Sequence, residues 1–369
     1  SRLAVDTEFV REKYYYPRLE VVQVSDGERI GIVDVQTVQD CSRLVKLLGD
    51  ESRLKIFHAA DQDVEVLQHA LNVAPLPLFD TQVAASLLGH GSQISLANLT
   101  KTLLKESPGK SQSVSDWTQR PFTSKQLAYA AADVRHLHQL HQKLTDELLR
   151  RGREKWYQDE QQDRLEATME KEPLADDEMY RRVKDWISLS RRDLAVLREL
   201  AKWREQTARR RNVPRRAVFT DEGLIDLARH RPDSKQNAKN LRRINQGQLH
   251  RYFDDALVAL ERGLRVPQDQ WPEKPTSERI EIPTGLLELC QALLRSEAER
   301  HEIAPTVIST TAELQQFILH RNTLDEKHTP LLHGWRRELV GNKLLGLLEG
   351  RIHVIVGEQG ELVFQEAEN

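Results

Sequence analysis

Slid by ninety residues, the second half of this sequence lies on itself. Leu197 falls on Leu287, Ala208 on Ala298, Val213 on Ile303, Val218 on Ile308, Leu224 on Leu314 and Leu227 on Phe317. Matches at that period mean one helical module present in two copies, and a duplicated module dictates how the rest of the chain divides. Between the copies VPQDQWPEKPTSERIEIP, dense in proline and charge, reads as a linker over 266–283. The first copy then occupies 191–265. The second occupies 284–369 and closes with a hairpin, IHVIV and ELVFQ around Gly-Glu-Gln-Gly. Pro173 and the acidic run Asp176-Asp177-Glu178 mark a further linker over 173–190.

Residues 1–172 carry a different pattern. VVQV and RIGIVDV flank Ser25-Asp26-Gly27-Glu28, whose Asp-Gly predicts a hairpin. Helical spacing follows at Leu44, Leu47 and Leu48, then a strand at Lys55-Ile56-Phe57 and a helix from Val64 to Ala70. From about residue 126 the pattern is helical, ending in a charged helix pair. Leading strands with interleaved helices predict an α/β domain. A chain of 369 residues exceeds what one core serves, which agrees with an α/β domain followed by two all-α modules.

Composition narrows the classes. No run approaches the roughly twenty apolar residues of a membrane span, and no secretory leader is visible, so a cytoplasmic protein without a membrane partner is expected. Cys41 and Cys290 lie far apart with no zinc-like companions, which suits a reducing compartment. A net charge of −3 argues against a uniformly basic nucleic-acid binder but not against a local basic patch. No feature calls for an obligate protein partner.

The chemistry-bearing residues begin at once, in SRLAVDTEFV. Asp6 and Glu8 interrupt an apolar run of strand length and, two apart on a strand, point to the same face. Two buried acids that close hold protons unless a cation sits between them. FHAADQDVEVL offers Asp61, Asp63 and Glu65 where a strand ends and a helix starts, a place where acids also gather to complement the helix dipole. In QLAYAAADVRHL, Tyr129 and Asp133 share a helix face at i and i+4.

VDTEFV at 5–10, HAADQDVEV at 58–66, YAAAD at 129–133 and DWTQRPFT at 116–123, in that order, resemble the DEDD superfamily of 3′→5′ exonucleases. The resemblance is to its tyrosine-bearing branch and there to the ribonuclease D family, whose two HRDC modules the helical copies resemble. It implies an α/β ribonuclease H-like exonuclease domain followed by two all-α HRDC-like domains. It carries the catalytic roles to Asp6, Glu8, Asp63, Tyr129 and Asp133, and the four acids become ligands of two divalent cations, Mg²⁺ or Mn²⁺. Asp6 bridges both ions, Glu8 and Asp133 complete one site, Asp63 supports the other, and Tyr129 places the attacking water. The family also has a segment ahead of the first motif that this sequence does not show. The implied activity is metal-dependent hydrolysis from RNA 3′ ends, releasing nucleoside 5′-monophosphates. The implied substrates are tRNA precursors and other structured RNAs with 3′ extensions. A DNA exonuclease of proofreading type would use the same acids. A non-catalytic nucleic-acid-binding module is the third class, disfavoured by the full set of acids and tyrosine.

Candidate RNA contacts lie around this set. His58 sits between strand and catalytic helix, with core packing the competing reading. Lys110, Trp117 and Arg120 belong to a polar loop, ESPGKSQSVSDWTQRPF, that could close on a 3′ end. Asp80 reads as a helix N-cap. Residues 201–243 hold thirteen Lys and Arg against five acids, which predicts a phosphate-binding patch including Arg209, Arg210 and Arg211.

Overall fold

The computed structural model describes residues 1–106, 116–169, 174–274, 282–325, 329–358 and 361–366. Five strands, β1 (Arg2–Val10), β2 (Arg18–Ser25), β3 (Ile30–Asp34), β4 (Leu54–Phe57) and β5 (Leu78–Asp80), form a sheet in the order β3-β2-β1-β4-β5. β1, β4 and β5 run parallel, with Ala4 opposite Ile56 and Ile56 opposite Phe79, whereas β2 and β3 pair antiparallel. The hairpin turn falls at the predicted Asp-Gly. Gly27 takes φ +101°, and Asp26 Oδ1 accepts from the N–H groups of Glu28 (2.9 Å) and Arg29 (2.8 Å). β5, three residues long and starting directly after Pro77, is too short to show alternation in the sequence.

Among the described residues seven helices accompany the sheet: α1 (Ser42–Leu48), α2 (Asp61–Leu71), α3 (Thr81–Leu87), α4 (Leu96–Leu104), α5 (Ser124–Arg135), α6 (Leu137–Arg151) and α7 (Glu154–Met169). On α6, Leu137, Leu140, Leu144 and Leu148 recur at three- and four-residue steps and pack in one core with Ala4, Ile56, Phe79 and Val134.

By compactness the chain forms two units, one of residues 1–8, 20–170 and 279–369, the other of 9–19 and 171–278. The second unit holds α8 (Arg191–Arg211), α9 (Arg215–Val218), α10 (Asp221–His230), α11 (Lys235–Lys239) and α12 (Gln246–Leu264) around Leu194, Leu197, Leu200, Leu224, Leu227 and Phe253. The stretch 173–190, expected as a linker, is no bare tether. From Asp176 it winds through 3₁₀ turns, and Met179, Tyr180, Val183 and Leu189 are buried in the module core. Four apolar side chains so close together are worth several kcal/mol when taken out of water, more than enough to pin the segment down. Of the other expected linker, 275–281 lie outside the described residues.

The C-terminal region is helical, with α13 (Thr284–Arg300), α14 (Pro305–Ile308), α15 (Thr311–Leu319), α16 (residues 334–348, with a π turn over Arg337–Gly341) and the antiparallel pair β6 (Ile352–Val356) and β7 (Leu362–Glu366). The sequence repeat is a backbone repeat. α9 and α14 start ninety residues apart, as do α10 and α15 with their capping residues Thr220 and Thr310. Asn212 (φ 48°) and Glu302 (φ 51°) both turn left-handed. The N–H of Val213 reaches Ala208 (3.1 Å) and that of Ile303 reaches Ala298 (3.0 Å). This copy shares a core with α3, α6 and α7. Trp335 stacks on Trp156 with ring centroids 5.0 Å apart, Arg336 pairs with Glu160 at 2.5 Å, and Arg153 donates to the carbonyls of Leu87 and His301. Among the described residues no helix is long and apolar enough to cross a membrane.

Candidate active site

β1 carries Asp6 and Glu8 out of a buried strand, on the face of Ala4, which belongs to the same core as Val134 and Leu137. α5 starts at a capping box, Thr123 with Gln126, and delivers Tyr129 and Asp133 one turn apart. The result is a half-buried group in which one carboxylate oxygen each from Asp6, Glu8 and Asp133 lies within 4.8 Å of the other two. Asp63, in the first turn of α2, stands outside that group and is buried. Its Oδ1 accepts from the hydroxyl of Thr7, the residue between the two strand acids, whose partnership the sequence reading missed. Asp61, two residues earlier, is exposed and lies 3.8 Å from Arg164, whereas the charge of buried Asp63 acts on Asp6 and Glu8.

All four carboxyls are pushed toward the protonated form. Asp6 is held well above the carboxylate range by burial, then by the charges of Asp63, Asp133 and Glu8. Burial, followed by Asp133 and Asp63, lifts Glu8 to about 8. Burial lifts Asp63 and Asp133 to about 7 each. What pulls back down is a hydrogen bond from Thr7 on Asp63 and one from Tyr129 on Asp133, not a cationic side chain. A buried acid cluster with no cationic side chain paired to it among the described residues suits a hard divalent ion, which relieves repulsion and takes oxygen ligands. The phenol of Tyr129 is raised by burial and by Asp133, Glu8 and Asp6, so it is neutral at pH 7 and unfit as a base.

The expected RNA contacts fare differently. His58 places Nδ1 2.9 Å from Thr81 Oγ1 and Nε2 3.0 Å from the Ile94 carbonyl, so both ring nitrogens are committed within the fold. Trp117 is 5% exposed and packs edge-on against Phe122, close to Tyr129, which makes it a wall behind the tyrosine and not a stacking surface. Arg120 is tied to Asp34 (2.9 and 2.7 Å) and to Glu20 (3.0 Å). Lys110 lies outside the described residues. In the basic stretch Lys202, Arg204, Arg209, Arg215, Arg231 and Arg243 form ion pairs, three of them with Asp177, Asp176 and Asp193 from outside the window counted. Arg209 is thus engaged, while Arg210 and Arg211 are exposed and without a carboxylate partner among the described residues.

An α/β sheet carrying three grouped acids, a fourth buried near them and a tyrosine, followed by helical modules, matches two described families: a 3′–5′ exonuclease over residues 1–149 and an HRDC domain over residues 193–260. The class is therefore a 3′–5′ exonuclease joined to an HRDC domain. Ribonuclease D of Nitrobacter hamburgensis is 36% identical over 365 residues, 98% of this chain and 93% of that protein. Ribonuclease D of Bartonella henselae is 33% identical over 353 residues, 95% and 86% of the two chains. The crystal structure of Escherichia coli RNase D, described as an exoribonuclease involved in structured RNA processing, superposes with a TM-score of 0.83 at 30% identity, covering 95% of this chain and 93% of that one. The chain belongs to the ribonuclease D family, and with it to the 3′–5′ exoribonucleases.

Proposed function

We propose that this chain removes nucleoside 5′-monophosphates from RNA 3′ ends with two divalent cations, Mg²⁺ or Mn²⁺, held by Asp6, Glu8, Asp63 and Asp133. The observation that carries this reading is the group of three carboxylates within 4.8 Å, with a fourth acid close enough to raise Asp6. When bound, two such ions make water nucleophilic at neutral pH and offset charge on the leaving oxygen. Asp6 belongs to the 4.8 Å group and also feels Asp63, which suits it to serve both ions. Glu8 and Asp133 complete one ligand set, and Asp63 supports the other. Tyr129, anchored on Asp133, holds the attacking water in line with phosphorus.

The substrates on this reading are structured RNAs with 3′ extensions, tRNA precursors first among them. The structured-RNA processing described for the Escherichia coli relative supports this, as do Arg210, Arg211 and Arg216, exposed and without a carboxylate partner among the described residues. On this reading the domains run 1–172, 191–265 with the stretch from Asp176 packed into its core, and 284–369, the last HRDC-like because its backbone repeats the first copy. Two cysteines without a disulfide suit the cytoplasm. The test is degradation of 3′-labelled RNA beside DNA of the same sequence, in Mg²⁺ and in EDTA. Monophosphates from RNA, with metal only, are expected. Equal loss of DNA would make the enzyme a general 3′ exonuclease, and undiminished cleavage in EDTA would refute the metal assignment.

A further inference from the structure

Asp80 ends β5 and caps α3, but capping uses only part of it. Its Oδ1 accepts from the N–H groups of Gln82 (2.7 Å) and Val83 (3.4 Å), the ordinary N-cap contacts. The same oxygen takes the N–H of Ala59 at 3.0 Å, and Oδ2 takes that of Ala60 at 2.7 Å. The carboxylate is 2% exposed, and its own backbone N–H is fixed by the hydroxyl of Tyr157 at 2.9 Å. One buried side chain thus gathers four backbone donors from two segments.

The second segment is the turn that launches the metal-ligand helix. β4 ends at Phe57 and α2 begins at Asp61. Between them Ala59 takes φ 62°, a left-handed conformation that costs a non-glycine residue roughly 1 kcal/mol or more. α2 has no cap of its own, because its N-cap residue is Ala60. Asp63 lies three residues beyond Ala60, less than one turn of helix, so a shift of the 59–60 peptide passes to it undamped.

We propose that Asp80 is the positioning residue for Asp63: by binding the N–H groups of Ala59 and Ala60 it holds the left-handed turn that aims Asp63 at the second cation. This rests on the reading of Asp63 as a metal ligand. It predicts that losing the turn contacts weakens cation binding even where the cap of α3 survives. Asp80→Asn removes one turn contact and spares the cap, since its oxygen can still serve Gln82, Val83 and Ala59 while its amide group would face the N–H of Ala60, donor against donor.

The experiment compares the full-length parent, Asp80→Asn, Asp80→Ser and Ser95→Ala. Mn²⁺ binding is read by titration calorimetry and amide hydrogen exchange by mass spectrometry. Ser95→Ala removes the cap of α4, where Ser95 Oγ accepts from Asn98 at 3.3 Å, and should cost stability without touching Mn²⁺ affinity. Both Asp80 variants should lose Mn²⁺ affinity by about tenfold or more, the effect of removing support from a ligand, with faster exchange at 59–64 and little change at 82–84. Unchanged Mn²⁺ affinity in folded Asp80→Asn overturns the proposal. So does exchange of the Ala59 and Ala60 amides in the parent at exposed-loop rates, a measurement that needs no variant. A parent that binds no Mn²⁺ refutes instead the metal reading, and this assignment falls with it.

Discussion

Glu8→Gln in the metal-free protein tests whether these acids crowd one another as the geometry says. Glu8 is lifted from 4.5 to about 8 by burial and by Asp133 and Asp63. Its folded value lies above its unfolded one, so the folded chain binds the extra proton between pH 4.5 and 8. Stability in EDTA should fall as pH rises through that window and level off above it. At about 1.36 kcal/mol per unit, ionising Glu8 costs the fold about 5 kcal/mol. Glutamine removes the charge but still buries a polar amide, so on the order of 2–3 kcal/mol of that is recovered, or about 5–10 °C in Tm for a domain of this size. The assay is thermal unfolding of parent and variant from pH 4.5 to 9, in EDTA and in Mn²⁺. The variant should match the parent near pH 4.5, exceed it at pH 8 and above, and fall below it once Mn²⁺ is added, because only the parent keeps the full ligand set. Parallel pH profiles in EDTA would refute the reasoning, since they would mean that Glu8 ionises without cost.

Asp63→Ala should abolish hydrolysis while Asp61→Ala, which removes an exposed partner of Arg164, stays close to the parent; single-turnover rates on labelled RNA decide, and the reverse order would move the ligand by two residues. Tyr129→Phe should keep Mn²⁺ affinity yet slow hydrolysis by about 10²-fold, because misplacing the nucleophile by about an ångström costs that much; a rate near the parent's would reduce Tyr129 to a packing residue. Replacing Arg210, Arg211 and Arg216 together by Gln should flatten the slope of log affinity against log salt by about 0.7 per lost single-strand phosphate contact, so by up to about 2 units. An unchanged slope would mean that these cations serve something other than RNA.

The parts of the molecule legible in its sequence are those that short-range spacing controls. The duplication shows because Leu224 and Leu314, or Ala208 and Ala298, fill equivalent core places on equivalent helices. The acids show because carboxylates on an apolar strand and one turn from a tyrosine on a helix have few innocent explanations. What stayed hidden depends on partners far along the chain. Arg120 looks free in a polar loop, but its partners Asp34 and Glu20 lie 86 and 100 residues away. The basic surplus of 201–243 is cut by Asp176, Asp177 and Asp193, which no window drawn on that stretch includes. Thr7 drew no notice and Asp80 read as a cap because neither bond to the α2 segment is visible from local pattern.

The shared core of the C-terminal copy bears on whether the duplicated modules are interchangeable parts. The first copy is finished by its neighbours in sequence, Met179 to Leu189, and by Tyr15 of the 9–19 segment, whose hydroxyl bonds Glu205. The second is finished by Trp156, Glu160 and Arg153, contributed by the catalytic domain's last helix and the turn before it. Transplanting residues 284–369 into the first position would strip Trp335 and Arg336 of what they pack on and pair with. Cutting the chain after residue 265 would leave Trp156 facing water and Glu160 without Arg336. Insertions, fusions and truncations are therefore tolerated at the first copy on different terms from the second: one leans on a single short segment around Tyr15, and the other is inherited only together with the nuclease helix it completes.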